Sequence, residues 1–329
     1  VSSVTFAASG NVASNNVFVA KSSLACGAYP QRLARIVSLD RARVAQRTIN
    51  YFPESGPTRL LSLDDIAAKC QIESIHYKDE SNRLGLTIFK ALGAPYALVC
   101  VARERLERDG SEREVELEQL IAGGYRESLA DFWVAAATDG NHGLALAWAA
   151  QKLGCRCRIY LHENASAKLD QLFQQRQAEV IRVAGNYDDS VDRCQADVNR
   201  LNHVVISDSS YDGYRTIPRR VMEGYAVMCL EAFEQLERPP THIFVQAGVG
   251  SLAASVFGAF WEQYQPNCPR GIIVEPESAG CLYASAMRHQ RTTIPGEHPT
   301  IMDGLACGEP SILALEIISQ AASAYIKVP

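Results

Sequence analysis

No apolar run approaches the roughly 20 residues needed to cross a bilayer as a helix, and the opening VSSVTFAASGNVASNN lacks the basic and apolar regions of a secretory signal. Basic residues are not in excess either. Lys and Arg number 32 against 37 Asp and Glu, a formal net charge of -5, so no field draws in phosphate backbones or anionic lipid, and nucleic acid and membrane are not expected partners. The ten cysteines include no CxxC pair. Cys155 and Cys157, two apart in an expected strand, point to one face, but the close Cys/His clustering of a tetrahedral metal site is missing, so no metal is expected. Internal repeats and low-complexity linkers are also absent, so a second domain would be inserted rather than appended. What is present is 329 residues with 47% hydrophobic and 21% charged content, enough to bury one large core or two moderate ones. A cytoplasmic enzyme fits best, with cysteines that are structural or reduced thiols rather than metal ligands.

The spacing predicts a helix over SLDRARVAQRTINYF, a capping box of Ser62 and Asp65 ahead of SLDDIAAKC, and a strand IESIHYK. A turn-rich connector, DESNRLG, and a partly helical apolar segment from Leu86 to Val101 follow. From Asp131 strand and helix alternate: DFWVAAA, LALAWAAQKLG, CRIYLH, SAKLDQLFQQRQ, AEVIRVA, DDSVDRCQADVNRL, HVVISD, PRRVMEGYAVMCLEAFEQL, THIFVQA, LAASVFGAFWEQY and GIIVEP. Short apolar strands between helices imply an α/β fold with parallel sheets covered on both faces, and ligands at the carboxyl ends of the strands.

Four segments at such positions can carry chemistry. In QAGVGSLAAS a strand ends in small residues and a helix begins, leaving N–H groups free to hold a phosphate; Gly248, Gly250 and Ala253 also satisfy a dinucleotide pattern, with Glu275 or Glu277 as ribose ligand, and tight helix packing is the plain alternative. ATDGNHG puts Asp139, Asn141 and His142 at a helix N-terminus, where an Asx turn with a cap would use the same residues. In RLGLTIFK, Lys90 lies among Leu86, Ile88, Phe89, Ala91 and Leu92. An apolar setting depresses an ammonium pKa and suits Schiff-base chemistry, although a surface lysine can also snorkel from such a stretch. TIMDGLACGEPS by itself is a loop ahead of a helix.

Together and in this order, these segments resemble the fold-type-II pyridoxal-phosphate (PLP) enzymes, the tryptophan-synthase-like family, and the strings are most similar to the diaminopropionate ammonia-lyases. RLGLTIFKALG, ATDGNHGLALAWAAQKLG, LHENASAKL, SDSSYDGYRTIPRRVMEGY, QAGVGSLA, VEPESAGCLYASA and TIMDGLACGEPS carry the likeness over most of residues 70 to 312. The resemblance implies two parallel-sheet α/β domains, the smaller (93–207) inserted in the larger (1–92 and 208–329), in a homodimer. It implies that Lys90 carries PLP as a Schiff base, Asn141 approaches the pyridine 3-hydroxyl, and the backbone of Gly248, Val249, Gly250 and Ser251 holds the phosphate. An NAD enzyme would have no need of the Lys90 and Asn141 segments.

Threonine deaminases of this fold usually carry a serine where Asp139 stands. A carboxylate there suits a substrate with a second ammonium, such as 2,3-diaminopropionate. The resemblance therefore implies α,β-elimination in amino-acid catabolism, Lys90 removing the α-proton of the L isomer and Asp139 that of the D isomer. Asp208 is a second candidate for the ammonium, a strand-end cap being the competing reading. A threonine or hydroxyaspartate dehydratase is the rival enzyme of the same fold, and a non-catalytic PLP or amino-acid binding protein is the rival from another functional class. Cys281 and Cys307 fall in loops this fold brings near the site, and a cytoplasmic setting favours thiols over a disulfide between them. The chain ends at AYIKVP and starts at Val1, where the family is expected to continue at both ends, including a hydroxyl side chain facing the pyridine nitrogen.

Overall fold

The computed structural model describes residues 11–14, 16–20, 27–110, 114–138, 140–185 and 187–329. A five-stranded sheet runs in the order Asn11–Ser14, Val17–Val19, Ala322–Val328, Arg270–Pro276, His242–Gln246. Its last three strands are parallel, and the first two form an antiparallel hairpin laid along Ala322–Val328, within a stretch whose sequence announced only a polar opening. A second sheet, wholly parallel, runs Glu179–Val183, Arg156–His162, Trp133–Ala137, Val204–Val205. Two short antiparallel strands, Leu60–Ser62 and His76–Lys78, stand apart.

The helices follow the hydrophobic pattern with informative departures. Leu39–Ile49 is capped by the Ser38 side chain, which accepts from the Arg41 N–H. The expected capping box at Ser62 does not form: the helix is Asp64–Cys70, and the Ser62 hydroxyl donates to Asp64 rather than capping it. IESIHYK supplies only a three-residue strand and HVVISD only two residues, because the chain leaves each sheet to form loops. The long helix expected over PRRVMEGYAVMCLEAFEQL breaks at Ala226 into Thr216–Tyr225 and Val227–Gln235. Helix Asn141–Leu153 is apolar on nearly every side because it is buried between its sheet and helix Gly93–Arg108.

One polar cluster sits deep in this packing. Arg83, 2% exposed, pairs bidentately with Glu231 at 2.7 and 2.7 Å and contacts Glu80 at 2.7 and 2.8 Å, and Lys78 reaches Glu231 at 2.7 Å. Two cations thus meet two anions, and Thr58 donates to Glu80 at 2.6 Å. The quartet ties helix Val227–Gln235 to the segment leading toward Lys90. Replacing Arg83 by Met should cost about 3–5 kcal/mol of stability, since it strands two buried carboxylates with one lysine; urea denaturation reads the loss, and a change under ~1 kcal/mol would mean water already screens the cluster.

Candidate active site

Lys90 stands second in the 3-10 turn Phe89–Leu92, which packs against helices Asn141–Leu153 and Thr216–Tyr225. Its approach is a tight turn in which the Leu86 N–H donates to the Arg83 carbonyl at 2.8 Å across Leu84 and Gly85, at φ +52° and +70°. A left-handed leucine costs about 1–2 kcal/mol. Burial of the Leu84 side chain and the pinning of Arg83 offset that cost, so the turn delivers Lys90 in one place.

The Lys90 ammonium donates to Asp208 Oδ2 at 2.6 Å, with the two side chains 19% and 15% exposed. Burial would push the Asp208 carboxyl up, but Lys90, His142 and the short hydrogen bond hold it well below the usual carboxylate range. His142 lies buried on the same side. Its Nε2 is 2.7 Å from the Ile206 carbonyl, which can only accept, so Nε2 carries the proton. Nδ1 is 3.9 Å from Asp208 Oδ2 and has no hydrogen-bond partner among the described residues. Burial, despite the opposing pull of Asp208, lowers the imidazole pKa, and the ring is neutral.

The start of helix Asn141–Leu153 is held by Thr138, whose hydroxyl oxygen accepts from the N–H groups of Gly140 and Gly143 at 3.1 and 3.2 Å. The cap expected from Asx residues is therefore a threonine's. Asp139 lies outside the described residues. The Asn141 amide reaches the 300–311 loop: a Cβ built on Gly304 would lie 3.7 Å from its Nδ2.

Past strand His242–Gln246 the chain turns through Gly248, Val249 and Gly250 into helix Ser251–Tyr264. Gly250 sits at φ +97°, and a Cβ there would press to 2.9 Å from Ile318 Cδ1. The N–H groups of Gly248, Val249 and Gly250 meet no acceptor among the described residues, and the first N–H groups of the helix that follows have no partner within it. That is a fit for a phosphate dianion. The Ser251 hydroxyl is otherwise engaged, donating to the Asp208 carbonyl at 2.5 Å, so only its N–H can serve the cradle. Ser311 completes the assembly, its N–H donating to the Val249 carbonyl at 2.9 Å while its hydroxyl meets that of Ser210 at 2.8 Å. Cys281 and Cys307 are both thiols, flanking Gly248. No cluster of three or more His, Cys, Asp or Glu able to hold a metal occurs among the described residues. An amine for an aldehyde, a cradle for a phosphate and an amide beside a loop are thus brought together from four separate stretches, and these residues fit PLP.

Comparison with known proteins agrees. The family model described as pyridoxal-phosphate dependent enzyme matches residues 51–329. The diaminopropionate ammonia-lyase of Salmonella typhimurium is 38% identical over 280 residues, spanning 83% of this chain and 69% of the relative. The chain belongs to the diaminopropionate ammonia-lyase family of PLP-dependent enzymes. Among solved structures, that of the Escherichia coli diaminopropionate ammonia-lyase with an aminoacrylate-PLP azomethine reaction intermediate superposes with a TM-score of 0.83 at 32% identity, over 98% of this chain and 77% of the relative. The same Escherichia coli enzyme in complex with D-serine gives 0.82 at 32% identity, over 98% and 78%. Fold type II is thereby settled, as is the cofactor class.

In this family member the sequence also left residues unassigned: His142 was visible as part of a turn but without a role, and Tyr225, whose buried hydroxyl lies beside Asp208, fell in an amphipathic helix where a tyrosine reads as core. The ion pair makes a testable statement about stability. A depressed carboxyl contributes stability above its unfolded pKa and loses it as pH falls. Without cofactor, Asp208→Asn should therefore be less stable than the parent at pH 7 by about 3 kcal/mol, with the gap narrowing below roughly pH 4. A gap that stays constant with pH, in urea melts at several pH values, would show that the pair is not the source.

Proposed function

We propose that this chain catalyses α,β-elimination of 2,3-diaminopropionate to pyruvate and ammonia, as a carbon–nitrogen lyase. The carrying observation is the 2.6 Å contact of Lys90 with Asp208, which stations a carboxylate beside the amine that would hold the cofactor. A diamino acid brings a second ammonium for that carboxylate; a hydroxy amino acid does not. Asn141 and the N–H groups from Gly248 to Ser251 would hold the ring hydroxyl and the phosphate. Bound PLP supplies an electron sink for the substrate α-carbon.

Lys90 removes the α-proton of the L isomer, and Asp139 that of the D isomer. The β-nitrogen departs as ammonia only if its proton count is kept up, because an amine anion is a very poor leaving group; Asp208 keeps the group protonated until the bond to Cβ breaks. The enamine released hydrolyses to pyruvate and a second ammonia. The two sheets support residues 93–207 as the smaller inserted domain and 1–92 with 208–329 as the larger. No helix among the described residues is long and apolar enough to cross a membrane; a cytoplasmic homodimer is part of the proposal by family resemblance.

The test is a visible spectrum of the purified protein before and after DL-2,3-diaminopropionate, with pyruvate followed through lactate dehydrogenase. A yellow protein that makes pyruvate is expected, and Lys90→Ala should lose the visible band with at least a ~10²-fold loss of turnover. A yellow protein active only on threonine or hydroxyaspartate would sink the substrate assignment. For Asp139→Asn the loss with the D isomer should exceed that with the L isomer by about tenfold or more; small, equal losses would reduce Asp139 to a turn former.

A further inference from the structure

If Lys90 held the cofactor through its aldehyde, with loss of water, its nitrogen would no longer be the free ammonium that pairs with Asp208. A carboxylate so little exposed cannot then stand uncompensated. Two more polar atoms face it, and neither makes a well-formed hydrogen bond among the described atoms. Tyr225 is 1% exposed, with its ring edge-on to Phe89 at 5.3 Å and pressed so close to helix Gly93–Arg108 that a Cβ on Gly93 would come within 2.5 Å of its Cε1. The ring is locked. Its hydroxyl lies beside Asp208, near enough for a weak hydrogen bond to the carboxylate, yet has no partner in good hydrogen-bond geometry among the described atoms. An orphaned buried hydroxyl costs about 1–3 kcal/mol, which phenylalanine would avoid with the same packing. The second is His142 Nδ1, a bare lone pair on a neutral ring, 3.9 Å from Asp208 Oδ2.

We propose that Tyr225 Oη and His142 Nδ1 complete, with the Asp208 carboxylate, a cage for a primary ammonium, the second amino group of a diamino acid, whose place the Lys90 ammonium takes before cofactor binds. The inference rests on the proposed function and deepens it, naming what selects the substrate. A primary ammonium carries three N–H donors and no acceptor. The cage offers it one anionic acceptor and two neutral ones. A hydroxyl brings a single donor and would leave two acceptors buried and unmet, the kind of mismatch by which a site rejects a close analogue. The cage also accounts for the tyrosine: its hydroxyl is costly in the empty protein and useful only when something polar enters.

Two measurements test this. In the PLP-loaded enzyme, Tyr225→Phe should melt no lower than the parent, while its dissociation constant for 2,3-diaminopropionate, read from the visible spectrum, rises about tenfold more than that for D-serine, the value of one neutral hydrogen bond. Equal changes for the two ligands, or a fall in melting temperature that accounts for both, would overturn the cage. A yellow parent that neither binds nor turns over diaminopropionate would overturn the functional reading and the cage with it. The second measurement needs no cofactor or turnover. In Lys90→Ala, methylammonium chloride should raise the melting temperature more than tetramethylammonium chloride, which has no N–H to donate, and adding Tyr225→Phe should shrink the difference. Equal effects of the two salts would overturn the cage whatever the substrate proves to be.

Discussion

An amine and a carboxylate 2.6 Å apart, both largely withdrawn from water, set the terms for the rest of the molecule. Neither charge is tolerable there alone, so the elements that carry them must meet accurately. Lys90 comes from a 3-10 turn wedged between two helices; Asp208 comes from the loop after a two-residue strand, with its own carbonyl held by Ser251 at the head of the phosphate cradle. The pair therefore links the amine, the cradle and the start of helix Asn141–Leu153 through His142. A shift in any one of these segments would be felt as an unpaired buried charge.

The parts legible in the sequence were those whose chemistry contradicts its surroundings. A lysine inside an apolar stretch and a small-residue turn between strand and helix are locally odd, and the structure puts both in one place. Parallel strands between helices were legible for the converse reason, since burial on both faces leaves short unbroken apolar runs. What escaped was whatever depends on partners remote in sequence. Tyr225 has the profile of an ordinary core residue until Gly93, Phe89 and Asp208 surround it. The break at Ala226 follows Gly224 by two residues, a weak signal inside an otherwise continuous helical pattern, and the N-terminal hairpin makes sense only once Ala322–Val328 offers it an edge. At ATDGNHG the neighbouring Asx residues drew attention from Thr138, whose hydroxyl does the capping.

Two buried ion clusters in this chain differ in a way that separates structure from chemistry. Around Arg83 both carboxylates are met by cations, and the guanidinium also donates to the Gly56 carbonyl and Thr58, so the group is closed and holds the strained turn before Lys90. Around Asp208 the cluster is open. A histidine lone pair and a tyrosine hydroxyl stand beside it without well-formed hydrogen bonds among the described atoms, although burial makes each of them costly. A folding requirement alone would favour phenylalanine over Tyr225, since an unmet hydroxyl contributes nothing to the fold, whereas His142 also serves the fold by donating Nε2–H to the Ile206 carbonyl. Their retention next to the amine that would carry the cofactor is explained if the open cluster is completed only by a ligand, and the closed cluster is what lets the protein bear that incompleteness a few residues away.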